Sequence, residues 1–502
     1  MSSDSSFVIF SGGTACNHVV NAFHSSPSND VCYVLGVSDN GGSSSELLRV
    51  LGGPSIGDLR SRLTRLIDVV ETDRSKERTA LKELLSYRLP ADASEQEVKD
   101  EWTSIVEGRH ALWANVPAEK REAIRGFLNS FHFEVIKRAH KGFNFRNGSI
   151  GNFFLTGARL FFGNLEAALF LFSAITGIPD SAKVVPVIST NHTATIAAQL
   201  TNGDTLNGQN EISHPPAQRV GGKRHPTPGC RWTRPNPIDA FSHLALGNED
   251  DYPLSPELDK NANLIFSKHA DQKLSSPIQR IYYINQYGQE IYPLPNPRVV
   301  DHLSCKKTLI YSIGSLYTSI VPCLILRSIG NAICHSSTLK QKILLLNGTN
   351  DRETDGYTAI DFINTITAAL NQSRKVDAQR AFYQALDGAE SDRASLPSIT
   401  PSSSSSTNTN ILPGTPPHGH TPPHYFPPFP DNQFQAEPPS SFITHLVFLD
   451  NSAVKVDVAA VEALNIRCVQ IRGAVSKDRG YPIYNENVLA DTIRRICSEE
   501  EK

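Results

Sequence analysis

Short runs of apolar residues alternate along the chain with longer segments of helical periodicity. Seven of these runs end in glycine or polar turn residues, and each predicts a β-strand. They are Phe7–Phe10, Cys32–Val37, Lys183–Val187, Leu309–Ser312, Lys342–Leu346, His445–Leu449 and Arg467–Ile471. Most are apolar throughout, which is typical of strands that are covered on both faces. The pattern therefore predicts an α/β fold with a doubly wound, mostly parallel, Rossmann-like sheet.

Three segments depart from this alternation, and we expect them to be insertions into a Rossmann-like sheet domain formed by residues 1–387 and 442–502. Residues 71–145 are dense in charge and show helical periodicity, so they predict a helical insertion. Residues 205–280 are rich in Pro, His and Asn, and they predict a hairpin followed by an irregular insertion. Residues 388–441 are rich in serine and proline and predict a disordered linker, because they offer little apolar surface to bury.

The charge balance argues against binding to nucleic acid or to an anionic membrane by bulk charge. The chain has 48 Lys and Arg residues against 51 Asp and Glu residues, a formal net charge of −3. The most membrane-like stretch, 309–326, contains Gly314 and Pro322, so we expect it to be a loop that enters a buried helix. The N-terminus lacks the features of a signal peptide. These observations predict a cytoplasmic protein without nucleic-acid or membrane partners.

The eight cysteines include no CxxC pair and show no repeating spacing. They are typical of reduced, mostly buried thiols rather than of zinc ligands or a disulfide framework. The proline-rich part of 388–441 offers an extended polyproline segment that would suit a protein partner. A homodimer is also compatible with the sequence.

Polar loops that contain glycine follow several of the predicted strands. The first strand runs into Gly12, Gly13 and Thr14, and a helix follows. A glycine turn between a strand and a helix lets backbone N–H groups approach an anion at the positive end of the helix dipole. The loop therefore has the form of a phosphate-binding loop, although a plain tight turn is the alternative.

The second strand is followed by Asp39, then by Gly41, Gly42 and Ser43. This places a carboxylate at the carboxyl end of a strand, where doubly wound folds bind their ligands. Asp39 is suited to bind a ribose hydroxyl, a ring nitrogen of a ligand or a magnesium ion. The alternative is that Asp39 and the serines only cap the next helix.

Further loops of the same kind follow. In Gly57-Asp58-Leu59-Arg60, Asp58 fits a helix N-cap, whereas Arg60 lies in a first turn, where the dipole disfavours a cation unless an anion is nearby. This favours phosphate contact, with a surface arginine as the alternative. The other candidate binding residues in such loops are Asn152, Gly314, Ser315, Thr318 and Asp355. Together the loops predict a pocket for a phosphorylated ligand at the carboxyl edge of the sheet.

The motifs SGGTA, SDNGGSSSELL, GDLR, GSIGNFFL, GSLYTSIVP and ETDGYTAIDFI occur in this order along the chain. As an ordered set, they resemble the 2-phospho-L-lactate transferase and gluconeogenesis-factor superfamily. The last two motifs are closer to the gluconeogenesis-factor branch. The similarity covers residues 1–70, 145–215, 300–375 and 442–500.

The resemblance implies a Rossmann-like fold that binds a nucleotide diphosphate conjugate. In the transferase branch, a phospholactyl or related group moves from a guanosine diphosphate carrier to a deazaflavin alcohol, with magnesium as cofactor. In the gluconeogenesis-factor branch, the protein binds a uridine diphosphate sugar and regulates carbon metabolism. Carried onto this chain, the resemblance assigns the diphosphate or nucleotide to Gly12, Gly13 and Thr14, the ligand or metal to Asp39, and the lining of the nucleotide region to Asn152, Ser315 and Thr318.

One departure from the family bears on the choice between these functions. The acidic pair of the family reads Asp39-Asn40 here, so one of two carboxylates for magnesium is missing. A single carboxylate still holds magnesium when substrate phosphates supply other oxygens. The first hypothesis is therefore a regulator that binds a uridine diphosphate sugar. The alternative is a magnesium-dependent transferase of the phospholactyl type, in which Asp39 is the catalytic residue and orients the accepting hydroxyl.

Overall fold

A computed structural model describes residues 5–39, 41, 43–67, 76–214, 273–285, 287–394, 427–476 and 480–499. Its strands are β1 (Ser6–Ser11), β2 (Asp30–Leu35), β3 (Ala182–Pro186), β4 (Thr195–Leu200), β5 (Thr205–Asn207), β6 (Ile278–Ile284), β7 (Glu290–Ile291), β8 (Thr308–Tyr311), β9 (Gln341–Leu345), β10 (His445–Leu449), β11 (Arg467–Ile471), β12 (Gly473–Val475) and β13 (Pro482–Tyr484). Its α-helices are α1 (Val20–Phe23), α2 (Ser43–Leu51), α3 (Gly57–Leu66), α4 (Lys76–Ser86), α5 (Glu95–Val106), α6 (Ala118–Lys137), α7 (Ile150–Phe162), α8 (Leu165–Thr176), α9 (Gly208–Ser213), α10 (Pro297–Cys305), α11 (Val321–Leu324), α12 (Ile329–Cys334), α13 (Ala359–Ala394), α14 (Val458–Glu462) and α15 (Glu486–Ser498).

The central sheet has seven parallel strands in the order β11-β10-β9-β8-β1-β2-β3. These are the seven strands that the apolar runs predict, so the predicted doubly wound sheet is confirmed. Every residue of β8 and β10 is buried, as is every residue of β1 after Ser6. Successive side chains of a strand point to opposite faces, so continuous burial requires cover on both sides of the sheet. Strand order reverses between β1 and β8, which makes their carboxyl ends the topological switch point.

The helical insertion predicted for 71–145 contains α4, α5 and α6. The ring of Trp102 in α5 lies 5.7 Å from that of Phe131 in α6, 5.4 Å from that of Phe145 and 5.1 Å from that of Phe153 in α7. Ser94 and Glu97 form a reciprocal capping box at the start of α5. The insertion thus packs on α7, the helix whose first turn carries Asn152.

A second, antiparallel sheet has the order β5-β4-β6-β7. The turn between β4 and β5 forms the start of the hairpin that the sequence predicts near residue 205, and α9 follows it. Only the ends of the predicted 205–280 insertion are described, because residues 215–272 lie outside the described residues. Where described, this insertion is regular and contributes β5, α9 and part of β6.

The predicted linker 388–441 has structure at both ends. Residues 388–394 form the end of α13, and residues 427–441 run back along that helix. The Asn371 side chain donates to the Glu437 carbonyl at 2.9 Å, and the Glu437 N–H donates to Asn371 at 2.9 Å. The rest, 395–426, lies outside the described residues, as does most of the proline-rich segment. Within the described part of the chain, no helix combines the length and the apolar character needed to cross a membrane.

Candidate functional site

Two glycine loops meet at the switch point of the sheet. Gly12 follows β1, and the loop that contains Gly314 follows β8. A Cβ atom on Gly12 would lie 2.7 Å from the Ser319 hydroxyl oxygen, so any side chain at position 12 would push Ser319 away. Gly12 and Gly13 are both buried, and the lack of a side chain at Gly12 is what allows the loop after β8 to lie this close to the loop after β1.

Gly314 has a backbone conformation that favours glycine, with φ at +152°. Its N–H group donates to the Asn347 side-chain oxygen at 3.1 Å, and its carbonyl accepts from the Asn347 side-chain nitrogen at 2.8 Å. Asn347 comes shortly after β9, so a neighbouring strand end fixes the loop after β8. Asn347 lies outside the recognised motifs and is not among the predicted site residues.

An acid pair forms beside the first glycine loop. The N-cap of α3 is Ile56, so the expectation that Asp58 caps this helix is wrong. The Asp58 carboxyl group instead accepts a hydrogen bond from the backbone N–H of Gly13. Burial of that carboxyl group and the nearby charge of Asp39 raise the pKa of Asp58 to about 7. The structure therefore brings together two carboxyl groups that are 19 positions apart in the sequence.

Asp39 is half-buried at the end of the loop after β2. Its carboxylate accepts from the Gly41 N–H at 2.8 Å. A Cβ atom on Gly41 would lie 2.9 Å from the Asn210 side-chain oxygen and 3.1 Å from Asp39 Oδ1, which places α9 against this loop. Sequence reasoning missed Asn210, because it lies in an insertion to which no family role carried over. Gly42 and the side chain of Ser43 lie outside the described residues.

Arg60 and Asn152 come from two predicted loops and meet in the structure. The Arg60 Nε donates to the Asn152 side-chain oxygen at 3.2 Å, and both residues are buried. Burial, followed by the charge of Arg88, lowers the pKa of Arg60 to about 10. A buried cation next to another cation gains from a nearby anion, so this corner of the site suits a phosphate or a carboxylate.

Arg62 is fully buried under the first glycine loop. One guanidinium nitrogen donates to the Gly12 carbonyl at 3.1 Å and to the Ser11 hydroxyl at 3.3 Å, and the group lies 4.5 Å from the Tyr33 ring centroid. Its Nε and Nη1 have no hydrogen-bond partner among the described residues. The guanidinium therefore supplies positive charge beneath Gly12, and this charge acts to lower the pKa of the nearby Asp58.

The remaining predicted residues occupy different positions. Thr14 is exposed at the start of the 3₁₀-helix Ala15–Val19, and its side chain makes no capping bond. Ser315 is half-buried in the loop after β8. The Thr318 hydroxyl is buried and donates to Glu353 at 2.6 Å. Asp355 is exposed and pairs with Lys273 at 2.8 Å. Thr14 and Ser315 thus keep side-chain surface at the edge, whereas Thr318 supports the loop.

The side chains at this edge of the sheet are of the type that binds a divalent cation. Asp39 and Asp58 supply two interacting carboxyl groups, and hard cations such as magnesium prefer oxygen ligands of this type. The Ser312 hydroxyl, at the end of β8, is buried and has no hydrogen-bond partner among the described residues. Magnesium with a phosphorylated ligand would complete both the charge balance and the hydrogen bonding of this edge.

A second group of side chains with metal-ligand chemistry lies away from the sheet edge. Cys334, His335 and Glu437 have ligand atoms within 4.8 Å of one another. However, Arg374 Nη2 lies 3.4 Å from a Glu437 carboxylate oxygen and provides the positive charge there. The Glu437 carboxylate of this group is therefore already paired with a cation.

Comparisons with known proteins bear on the family and the fold of this chain. Residues 7–394 match the family model described as 2-phospho-L-lactate transferase CofD. A protein of Saccharomyces cerevisiae, described as uncharacterized protein YNL011C, is 35% identical over 493 residues, which cover 92% of this chain and 94% of that protein. A crystal structure of a member of the UPF0052 family from Bacillus halodurans has a TM-score of 0.54 at 14% identity and covers 98% of this chain and 99% of that chain. Another Bacillus halodurans crystal structure has the same TM-score and coverage at 15% identity. At such identities the structures share the fold.

Proposed function

The chain belongs to the 2-phospho-L-lactate transferase CofD family, and on this basis we propose that it is a magnesium-dependent transferase. The reaction would move a phosphorus-containing group from a nucleoside diphosphate carrier to a hydroxyl acceptor. One observation carries the proposal: Asp58 lies close enough to Asp39 for the two carboxyl groups to interact, and a Cβ atom on its neighbour Gly57 would lie 3.9 Å from Asp39 Oδ2. Asp58 would then serve as the second carboxyl group that position 40 lacks.

The carrier would bind across the switch point. The loops that contain Gly12, Gly13 and Gly314 would face the diphosphate, and Arg60 would neutralise part of its charge. Asp58 and Asn347 already accept from the N–H groups of Gly13 and Gly314 and so hold these loops in place. Arg62 would place its positive charge beneath the loop that faces the diphosphate, because it donates to the Gly12 carbonyl. These groups are held by the fold before the ligand arrives, so binding pays little of the ordering cost.

The transfer requires little covalent participation by the protein. The acceptor hydroxyl would attack the distal phosphorus, the phosphorus–oxygen bond to the bridging oxygen would break, and a nucleoside monophosphate would leave. Asp39 would orient the hydroxyl and receive its proton. Magnesium, when bound by Asp39 and Asp58, would neutralise charge on the phosphate oxygens. Positioning and electrostatics would thus provide most of the rate acceleration.

A second candidate is a regulator that retains a uridine diphosphate sugar and influences carbon metabolism. It is favoured by the direct contact between the motifs GSLYTSIVP and ETDGYTAIDFI, which the structure joins through Glu353 and Thr318. Those are the two motifs closer to the gluconeogenesis-factor branch. The two candidates share the binding edge and differ in whether the bound conjugate is cleaved.

The test is incubation of the full chain with a guanosine diphosphate carrier of 2-phospholactate and a deazaflavin alcohol, with and without magnesium. We expect magnesium-dependent release of guanosine monophosphate, detected by mass spectrometry. Asp39→Asn should reduce the release at least 100-fold, whereas Asp491→Asn, an exposed change on α15, should leave it unchanged. The transferase proposal would be wrong if the protein released no monophosphate and bound an intact uridine diphosphate sugar without magnesium. That result would support the regulator.

A further inference from the structure

Glu353 is a buried acid whose carboxyl group is fully engaged with the loop after β8. It is 3% exposed. One oxygen accepts from the backbone N–H groups of Tyr317 at 3.0 Å and Thr318 at 3.1 Å, and the other accepts from the Thr318 hydroxyl at 2.6 Å. These are three donors from two successive residues of one turn. Such an arrangement fixes both the position and the rotation of that turn.

The turn in question is a π-helical segment, Leu316–Ile320, which runs directly into α11. The Ser319 N–H donates to the Ser315 carbonyl at 3.0 Å and the Ile320 N–H to the same carbonyl at 3.3 Å. Short π-helical segments recur at functional sites because the extra residue redirects side chains. Here the segment places Ser319 where a Cβ atom on Gly12 would meet it at 2.7 Å.

We propose that Glu353 is a positioning residue, which holds the π-helical segment Leu316–Ile320 against Gly12 and so sets the distance between the two diphosphate-binding loops. The identity of the ligand in this statement rests on the proposed function, whereas the effect on the loop does not. Asn347 fixes Gly314, at the start of the same loop, from an adjacent strand end. The loop is therefore held at two points from the region after β9.

Glu353 acts through the loop rather than on the ligand. Its carboxyl oxygens are taken up by the loop donors, and its burial leaves almost no surface for contact. Burial and the charge of Asp351 raise the pKa of Glu353 to about 8, although the three hydrogen bonds from the loop act in the opposite direction. A neutral glutamine has the same shape, can accept both N–H bonds through its oxygen and can donate to the Thr318 hydroxyl oxygen.

This argument yields a graded set of variants of the full chain. Glu353→Gln should preserve the loop, and Glu353→Ala should release it, because the Ala variant leaves two buried N–H groups unpaired. Glu462→Ala, an exposed change on α14, controls for the loss of a glutamate side chain. Amide hydrogen exchange of the segment 315–320 and the dissociation constant of magnesium–GDP and magnesium–UDP, measured by calorimetry, are the two readouts.

We expect Glu353→Ala to speed exchange of the Tyr317 and Thr318 amides at least tenfold and to weaken nucleotide binding at least tenfold. Glu353→Gln should stay within threefold of the wild type in both. Unchanged exchange in the Ala variant would overturn the proposal, as would faster exchange with an unaltered dissociation constant. If the wild type binds neither nucleotide, the proposed function fails, and the exchange measurement alone decides whether Glu353 positions the loop.

Discussion

Replacement of Asp58 by Asn should stabilise the ligand-free protein at neutral and alkaline pH while it removes magnesium binding. Asp58 keeps its carboxyl group in a buried position next to Asp39, which disfavours the ionised form. Asparagine is nearly isosteric and can still accept the bond from the Gly13 N–H. It has no charge to bury and no repulsion from Asp39, but it is a much poorer ligand for magnesium.

The pKa of Asp58 sets the size and the pH range of the effect. The folded-state value of about 7 lies above the ordinary value of 3.8, so the folded chain holds this proton more tightly than the unfolded chain. Stability from this group is complete below pH 3.8 and is lost as the pH rises through 7. The difference of about 3 pH units corresponds to about 4 kcal/mol as an upper bound. We expect Asp58→Asn to raise the free energy of unfolding by at least about 1 kcal/mol above pH 7.

The assay is thermal unfolding of both proteins between pH 4 and pH 9 without magnesium, then again with magnesium at pH 8. The advantage of Asp58→Asn should grow between pH 4 and pH 7 and stay level above pH 7. Magnesium should raise the Tm of the wild type but not of the variant. Asp491→Asn, which alters an exposed i,i+3 pair with Arg494, should show neither trend. A wild type as stable as Asp58→Asn at pH 8 would refute the reasoning.

Three glycine substitutions test the packing, two at close approaches and one in open space. Gly157→Ala should destabilise the protein by about 1–3 kcal/mol, because its Cβ would overlap the Phe127 carbonyl oxygen where α6 crosses α7. Gly126→Ala, on α6 with open space around its Cβ position, should instead stabilise by up to about 1 kcal/mol; equal effects of the two changes in chemical denaturation would contradict this packing. Gly13→Ala should abolish magnesium-dependent GDP binding in calorimetry, because its Cβ would overlap the Asp58 carboxyl group; unaltered binding would place the diphosphate elsewhere.

The central sheet could be predicted because its strands are buried on both faces. Continuous apolar runs such as those of β1 and β8 have few alternatives between glycine-rich turns. For the antiparallel sheet, only the first hairpin could be predicted from the sequence. In β6, exposed and buried positions mix, and its partner β4 is separated from it by more than 70 residues of insertion. Pairing at that sequence distance depends on tertiary packing, which periodicity does not encode.

The positions of the polar glycine loops could be predicted from the sequence, but the contacts between those loops could not. Glycine and polar residues at strand ends correctly mark the edge at which the switch point lies. However, Asp58 had the local pattern of a helix cap, and only the approach of the loop after β1 gives its carboxyl group another donor. Glu353 sits inside a recognised motif, yet its partners Tyr317 and Thr318 belong to a different loop. Side chains that act between loops require the topology before their roles can be assigned.

The pairing of Asp39 with Asp58 also bears on which of the two candidate functions is better supported. A protein that only retains a nucleotide sugar needs donors and cations around the diphosphate, and Gly12, Gly13 and Arg60 would supply them. Two carboxyl groups at the same edge would repel that diphosphate unless a metal ion lies between them. Keeping Asp58 in a setting that raises its pKa to about 7 costs stability in the ligand-free state. Such a cost is typical of groups that act on a ligand, so the acid pair favours transfer over retention.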